Sequence, residues 1–171
     1  MKRILPLFLA LALILTACGG SKEQASTKTP DELKTAYTQA ITDARDEELN
    51  QAFPVRTDVS EMDEFETEMV FGMLGFAPED AQAYGISMTF MNVSAYAIAA
   101  VMPAEGKEDT VRKGLEAYRE AQKQNFQFYL EDQFDIASNA KLEKLNDGTL
   151  LMVMCENQDT VFDSIKASLE K

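Results

Sequence analysis

Residues 95–102 read AYAIAAVM, a run with no charged side chain and one polar group, the Tyr96 hydroxyl. Successive side chains of a β-strand point to opposite faces of the sheet, so a strand that is apolar throughout must be covered on both faces. Residues 149–155 are almost as apolar on both faces. We therefore predict that these two segments are the central strands of one sheet.

The segments around these two strands indicate the rest of the sheet. Residues 86–91 and 140–145 alternate between apolar and polar side chains, as half-exposed edge strands do. The Asn-Asp-Gly sequence at 146–148 predicts a hairpin turn. Apolar residues at helical spacing predict a long helix over about 108–129 and a last helix over about 159–170.

The resulting order, β-β-α-β-β-α from residue 86, predicts an α+β fold with a four-stranded antiparallel sheet. It is a permuted ferredoxin-like arrangement (ββαββα), in which the last strand has moved to the front. A right-handed crossover through the long helix would place both later helices on one face of the sheet. The N-terminal helices expected within residues 30–84 would then cover the second face.

Three helical segments are predicted before the sheet. Thr29-Pro30-Asp31-Glu32 is a helix start with a capping box, and this helix should end before Pro54. A helical turn over residues 78–84 would end at Gly85 as a left-handed cap. Between them, a helix from near Ser60 would bury four large side chains, Met62, Phe65, Met69 and Met73.

The beginning of the chain has the layout of an export signal. Lys2 and Arg3 precede an apolar run that is too short to span a bilayer as a helix, since that takes about 20 residues. The run ends in Leu15-Thr16-Ala17-Cys18, which resembles the signal of bacterial lipoproteins. That resemblance implies that Cys18 carries a diacylglycerol and becomes the first residue of the mature chain. The alternative is an ordinary secretory signal with an incidental cysteine.

The predicted signal and the predicted fold together divide the chain into three parts. Residues 1–17 are the predicted signal peptide, residues 18–29 a flexible polar tether, and residues 30–171 a single α+β domain. Within that domain, residues 30–84 form the helical part and residues 85–171 the ββαββα part. The expected location is the extracytoplasmic face of the cell membrane, with the lipid on Cys18 as the anchor.

The composition argues against several functions. The chain has no histidine, which removes His-based triads and His metal sites, and no tryptophan. Its formal net charge is −13, which opposes binding to nucleic acid. If Cys18 is lipidated, Cys155 has no disulfide partner, and its apolar neighbours predict a buried thiol. No catalytic residue, cofactor or metal site is predicted.

One stretch of the sequence resembles a known family. The residues that carry the resemblance are Tyr118-Arg119, Gln122, Phe126, Tyr129 and Gln133, followed by strand-Gly-strand and a final helix. They are similar to an uncharacterised lipoprotein family of Gram-positive bacteria, over about residues 60–171. This chain has Leu130 where the family often has proline. The family is described only as a domain of unknown function, so the resemblance implies fold and anchoring but no reaction.

Two groups of polar residues are candidate sites. On the long helix, Gln122 is predicted to point into the apolar stripe and Arg119 to its edge. They would either line a polar pocket or bond nearby main chain, with Arg119 pairing Glu131 or Asp135. The second group is a run of carboxylates: Asp58, Glu61, Asp63, Glu64, Glu66 and Glu68. Such a run can bind a cation, supply an acid and a base, or only form a solvated helix face.

The sequence therefore predicts a membrane-anchored lipoprotein that exposes a small, non-catalytic domain outside the cytoplasmic membrane. That domain would bind an unidentified protein or small molecule. The alternative is a cell-envelope hydrolase that uses paired carboxylates, and a pocket lined by two convergent carboxylates would favour it.

Overall fold

The computed structural model describes residues 28–171, so Cys18 and most of the predicted tether lie outside the described residues. In chain order the elements are α1 (Pro30–Asp43), α2 (Glu47–Ala52), α3 (Glu64–Leu74), β1 (Ala81–Met88), β2 (Ala97–Pro103), α4 (Glu108–Phe126), α5 (Glu131–Ser138), β3 (Lys141–Lys144), β4 (Leu150–Met154) and α6 (Gln158–Leu169).

The four strands form one antiparallel sheet in the order β1-β2-β4-β3. The two segments that are apolar on both faces, β2 and β4, are central, and Ala99 of β2 lies between Ile86 and Met152. The order of strands and helices is consistent with a ferredoxin-like arrangement. The predicted fold class, with its four-stranded antiparallel sheet, is thereby confirmed.

Helices cover both faces of the sheet, but their distribution differs from the prediction. α3 and α4 pack on the face that carries Ala99 and Met152, whereas α1 and α6 pack on the face that carries Ile98 and Val153. The prediction that both later helices share one face is wrong. The handedness rule constrains α4, which connects two parallel strands, but it does not constrain α6, which no strand follows.

The first helix forms as predicted and packs closely on β1. Thr29 and Glu32 make the capping box, and Leu33, Tyr37 and Ile41 are buried. A Cβ at Gly85 would lie 2.6 Å from the Cβ of Tyr37, so the glycine permits the close approach of helix and strand. Gly85 is thus a strand residue and not the predicted left-handed cap, because Ala81–Met88 pairs with β2.

The third helix begins later than predicted and buries a different face. Asp63 caps it, Gly75 ends it with φ 73, and its buried residues are Val70, Phe71 and Leu74. Phe65, which the periodicity placed in the core, is 72% exposed. Of the predicted Met62-Phe65-Met69-Met73 stripe, Met62 and Met73 pack partly against the core. Its placement of Phe65 is wrong because the C-terminal half of α3 lies against α4 and determines the buried face.

Two short helices were not predicted. α2 and α5 have six and eight residues, too few for an apolar period to stand out. The long helix ends at Phe126, and the chain turns before α5 begins at Glu131. Tyr129, which the predicted range of that helix includes, therefore lies beyond its end and is exposed.

Candidate functional site: an apolar tip and groove at one end of the sheet

Large apolar side chains are exposed together at one end of the sheet. Two segments supply them, the β1–β2 loop and the turn after α4, and the Tyr129 hydroxyl joins these segments by donating to the Asn92 carbonyl at 3.0 Å. The side chains are between 42% and 88% exposed: Phe90, Met91, Val93, Phe128 and Tyr129. These five residues form the apolar tip. Contiguous exposed apolar patches of this kind mark interaction surfaces.

A groove of 290 Å³ lies beside the apolar tip. Its walls are the chain at Phe53-Pro54, Val70 of α3, and the segment from Met88, the last residue of β1, to Met91. Arg56 and Glu66 also line it and are joined by an ion pair of 3.1 Å. The groove is therefore mostly apolar, with one neutralised pair of charges.

The outer edge of β1 is only partly covered beside this groove. Arg56 and Ile86 exchange two backbone hydrogen bonds, of 2.7 and 2.9 Å, so the chain before α3 covers the edge at Ile86. Met88 faces the same edge two residues later. Within residues 28–171, no hydrogen bond satisfies the backbone N–H or C=O of Met88 at this edge. Pro54, which lines the groove, has no N–H to donate.

A polar cluster fixes the wall of the groove from behind. The Arg45 guanidinium donates to the Phe53 carbonyl at 3.1 Å and to the Ser87 hydroxyl at 2.6 Å, and it also bonds the Tyr96 hydroxyl. The ring of Phe53 stacks on that of Tyr96 with centroids 4.4 Å apart. These contacts tie the end of α1 and the Phe53 segment to β1 and β2, so the groove is a preformed feature.

The structure separates the predicted polar residues of α4 from this site. Arg119 is half-buried and donates to the Ala140 carbonyl at 3.2 Å, and not to Glu131 or Asp135. Gln122 is half-buried, and its side-chain amide makes no hydrogen bond within residues 28–171. Arg119 thus bonds main chain between α5 and β3, which was one of the two roles considered for it.

The carboxylate run is used for local structure. Asp58 pairs with Lys34 at 2.8 Å, and this partner, with a hydrogen bond from the Ser60 backbone, lowers the pKa of Asp58. Asp63 caps α3, and Glu61 accepts two hydrogen bonds from Thr57. In the part of the chain that the structure describes, no three side chains of metal-ligating type come together to hold an ion.

A second, wider cavity of 510 Å³ lies at the start of α6. Three carboxylates line it, those of Asp135, Glu156 and Asp159. Asp159 pairs with Lys141 at 2.8 Å. Cys155 borders this cavity but is buried, and burial raises the pKa of its thiol to about 11, which confirms the predicted buried cysteine.

Sequence reasoning missed the apolar tip because it assigned its residues to regular elements. Phe90 was placed on a strand and Tyr129 on the long helix, yet both lie just beyond the ends of those elements. A signal was present: Phe126, Tyr129 and Leu130 would share one face of a helix, whereas Phe128 would point to the opposite face. Among the described residues, no helix combines the length and the hydrophobicity that a membrane span requires.

Comparison with known proteins gives one match. A family model described as Domain of unknown function (DUF4358) matches residues 56–155, which include the apolar tip, the whole sheet and most of the groove. Neither the curated proteins nor the solved structures yield a match. The matched range is more than half of the chain and spans its central fold from β1 to β4. The chain therefore belongs to the DUF4358 family of domains of unknown function.

Proposed function

We propose that this protein is a bacterial lipoprotein, anchored at the extracytoplasmic face of the cell membrane by a diacylglycerol on Cys18. Its domain is non-catalytic and binds a partner protein through the apolar tip. The observation that carries this proposal is the cluster of five exposed apolar side chains beside a preformed groove. The lipoprotein-like signal and the resemblance to Gram-positive lipoproteins support the anchor.

The direction of α1 favours a protein partner over the lipid surface. Tyr37 lies against Gly85 in the middle of β1, and Arg45, just after α1, reaches Ser87 near the end of β1. α1 therefore runs toward the apolar tip, and residue 28 lies at the other end of the domain, about 21 Å away along a 14-residue helix. An anchor that precedes residue 28 would therefore join the domain at the end away from the tip.

The alternative of a carboxylate hydrolase has weaker support. Of the carboxylates between residues 58 and 68, Asp58 and Glu66 form ion pairs and Asp63 caps α3. Asp159 in the second cavity pairs with Lys141. A general acid–base pair needs two groups free to exchange protons with a substrate. Because these side chains are held by other residues of the domain, we favour a binding domain over a hydrolase.

The anchor is tested by Cys18→Ala. We expect this variant to move from the membrane fraction to the soluble fraction, because two acyl chains at about 0.8 kcal/mol per buried methylene provide the membrane affinity. Fractionation followed by immunoblotting measures the distribution. The matched control is Cys155→Ala, which removes the other thiol and should stay with the membrane. A Cys18→Ala chain that remained membrane-bound would show that the anchor is wrong.

The apolar tip is tested by photo-cross-linking in living cells. A benzophenone amino acid at Phe128 or Val93 should give the same protein adduct. Both side chains are exposed, and the bond from the Tyr129 hydroxyl to the Asn92 carbonyl holds their two segments together. The control position is Glu105, which is exposed in the turn after β2, at the other end of the sheet. The proposal fails if Glu105 gives the same adduct, or if Phe128 and Val93 cross-link only to lipid.

A further inference from the structure

We propose that the free edge of β1 at Met88 accepts an extended, basic segment of the partner protein as an added strand. The inference rests on the proposed binding function and specifies how the partner is held. It concerns the edge and the groove, whereas the proposed function depends on the apolar tip.

The first support is the backbone at this edge. The N–H of Thr89 donates inward to the Tyr96 carbonyl at 3.2 Å, so Met88 directs its N–H and C=O outward, as Ile86 does. Arg56 satisfies both groups of Ile86, and nothing in residues 28–171 satisfies those of Met88. An unpaired N–H and C=O on a strand edge form a template for another strand.

The second support is the groove that this edge borders. An added strand would continue the line of the Arg56 segment past Pro54, where the protein's own chain leaves the edge. Alternate side chains of such a strand would enter the space between Pro54, Val70 and Met88. Main-chain hydrogen bonds combined with a side-chain pocket are the two components of recognition by strand addition.

The third support is the negative charge near the groove, which favours a basic segment as the added strand. Residues 57–68 contain six carboxylates and no basic residue, and Glu61, Asp63, Glu64 and Glu68 are exposed. Glu66 lines the groove itself but is neutralised by Arg56, so the attraction comes from these four exposed carboxylates. Opposite charges attract across an interface and like charges are repelled, so a basic strand fits this edge. A second copy of the chain, with net charge −13, is disfavoured.

The probe is a pool of hexapeptides with Lys at positions 1, 3 and 5 and Val, Ile, Leu or Phe at positions 2, 4 and 6. It is titrated into the full-length chain in non-ionic detergent, with 13C-labelled methionine methyl groups and 15N-labelled amides. We expect shifts at the Met88 and Met91 methyls and at the Met88 amide, and none at the buried Met152 and Met154. Affinity should fall as ionic strength rises.

Two control pools separate the contribution of peptide charge from that of main-chain hydrogen bonds. A pool with Glu in place of Lys should bind about tenfold more weakly, because its charge is repelled. A fully N-methylated Lys pool keeps the side chains and charges but cannot donate main-chain hydrogen bonds, and it should not shift Met88. In the protein, Met88→Pro removes the outward N–H and should weaken binding about fivefold, whereas Met88→Leu should not.

The outcomes distinguish this inference from the proposed function. Strand addition is overturned if the N-methylated pool binds as well as its parent, if no pool shifts Met88, or if light scattering finds a dimer that occupies the edge. Shifts confined to Val93, Phe128 and Tyr129 would overturn the edge while leaving the apolar tip as the binding surface. Shifts at Met88 together with failed cross-linking from the tip would support the edge and count against the proposed function.

Discussion

A fragment that begins at Ala81, and so lacks α1, α2 and α3, will aggregate or melt without a cooperative transition. Its sheet would lose six large buried side chains: Leu33, Tyr37, Ile41, Val70, Phe71 and Leu74. Burial of each contributes about 1.5–3 kcal/mol, and the whole free energy of unfolding of a domain is about 5–15 kcal/mol. Size-exclusion chromatography and calorimetry on the fragment measure the result.

The control for this fragment is a chain that begins at Thr29, which keeps α1 with its capping box and should melt cooperatively. A monomeric 81–171 fragment with a sharp melting transition would contradict the prediction. It would show that α4, α5 and α6 cover the sheet well enough by themselves. The parts of the two faces that α1 and α3 cover in the whole domain would then be exposed without loss of the fold.

Gly114→Ala will destabilise the domain although alanine favours helices. Gly114 lies in α4 where it crosses the end of α3, and an added Cβ would overlap the Leu74 carbonyl oxygen and lie 2.8 Å from that of Gly75. Backbone atoms cannot rotate away, so the two helices must separate. We expect a loss of about 2–3 kcal/mol, equivalent to a fall in Tm of roughly 6–12 °C. Thermal denaturation followed by circular dichroism measures it.

Gly72→Ala is the matched control on the neighbouring helix. Gly72 lies within α3, is exposed, and has no atom within 4 Å of an added Cβ. The same substitution should therefore stabilise the domain by about 0.5–1 kcal/mol, since only helix propensity changes. Equal effects of the two substitutions would show that contact between α3 and α4 is not tight at Gly114.

The sheet was predictable from the sequence because burial on both faces leaves a pattern in single strands. β2 and β4 are apolar at every position, and only central strands covered by helices are built that way. The face on which α6 packs was not predictable, since no handedness rule applies to a terminal helix. Ser87 and Thr89, whose polar side chains suggested a solvated face, are buried because Ser87 bonds Arg45 and Thr89 bonds the Met91 amide.

The candidate site was less predictable than the fold. The exposure of Phe128 depends on where α4 ends, and helix ends are the least certain part of a sequence-based prediction. The free edge at Met88 depends on the pairing of Arg56 with Ile86, a contact across 30 residues that no local pattern records. Arg119 could be assigned a structural role from its place on the helix, although its partner, the Ala140 carbonyl, could not.

The placement of residue 28 and the apolar tip at opposite ends of α1 also determines how the domain would carry mechanical tension. A pull between a membrane anchor and a partner on the tip runs along α1 and along the strands. Such a load shears the packing of α1 on β1, including the Arg45 bonds to Ser87 and Tyr96, all at once. A load perpendicular to the strands would instead break these contacts one after another. Survival under tension depends on the rate of unfolding, so with an anchor and a partner in these places α1 would slow unfolding under load.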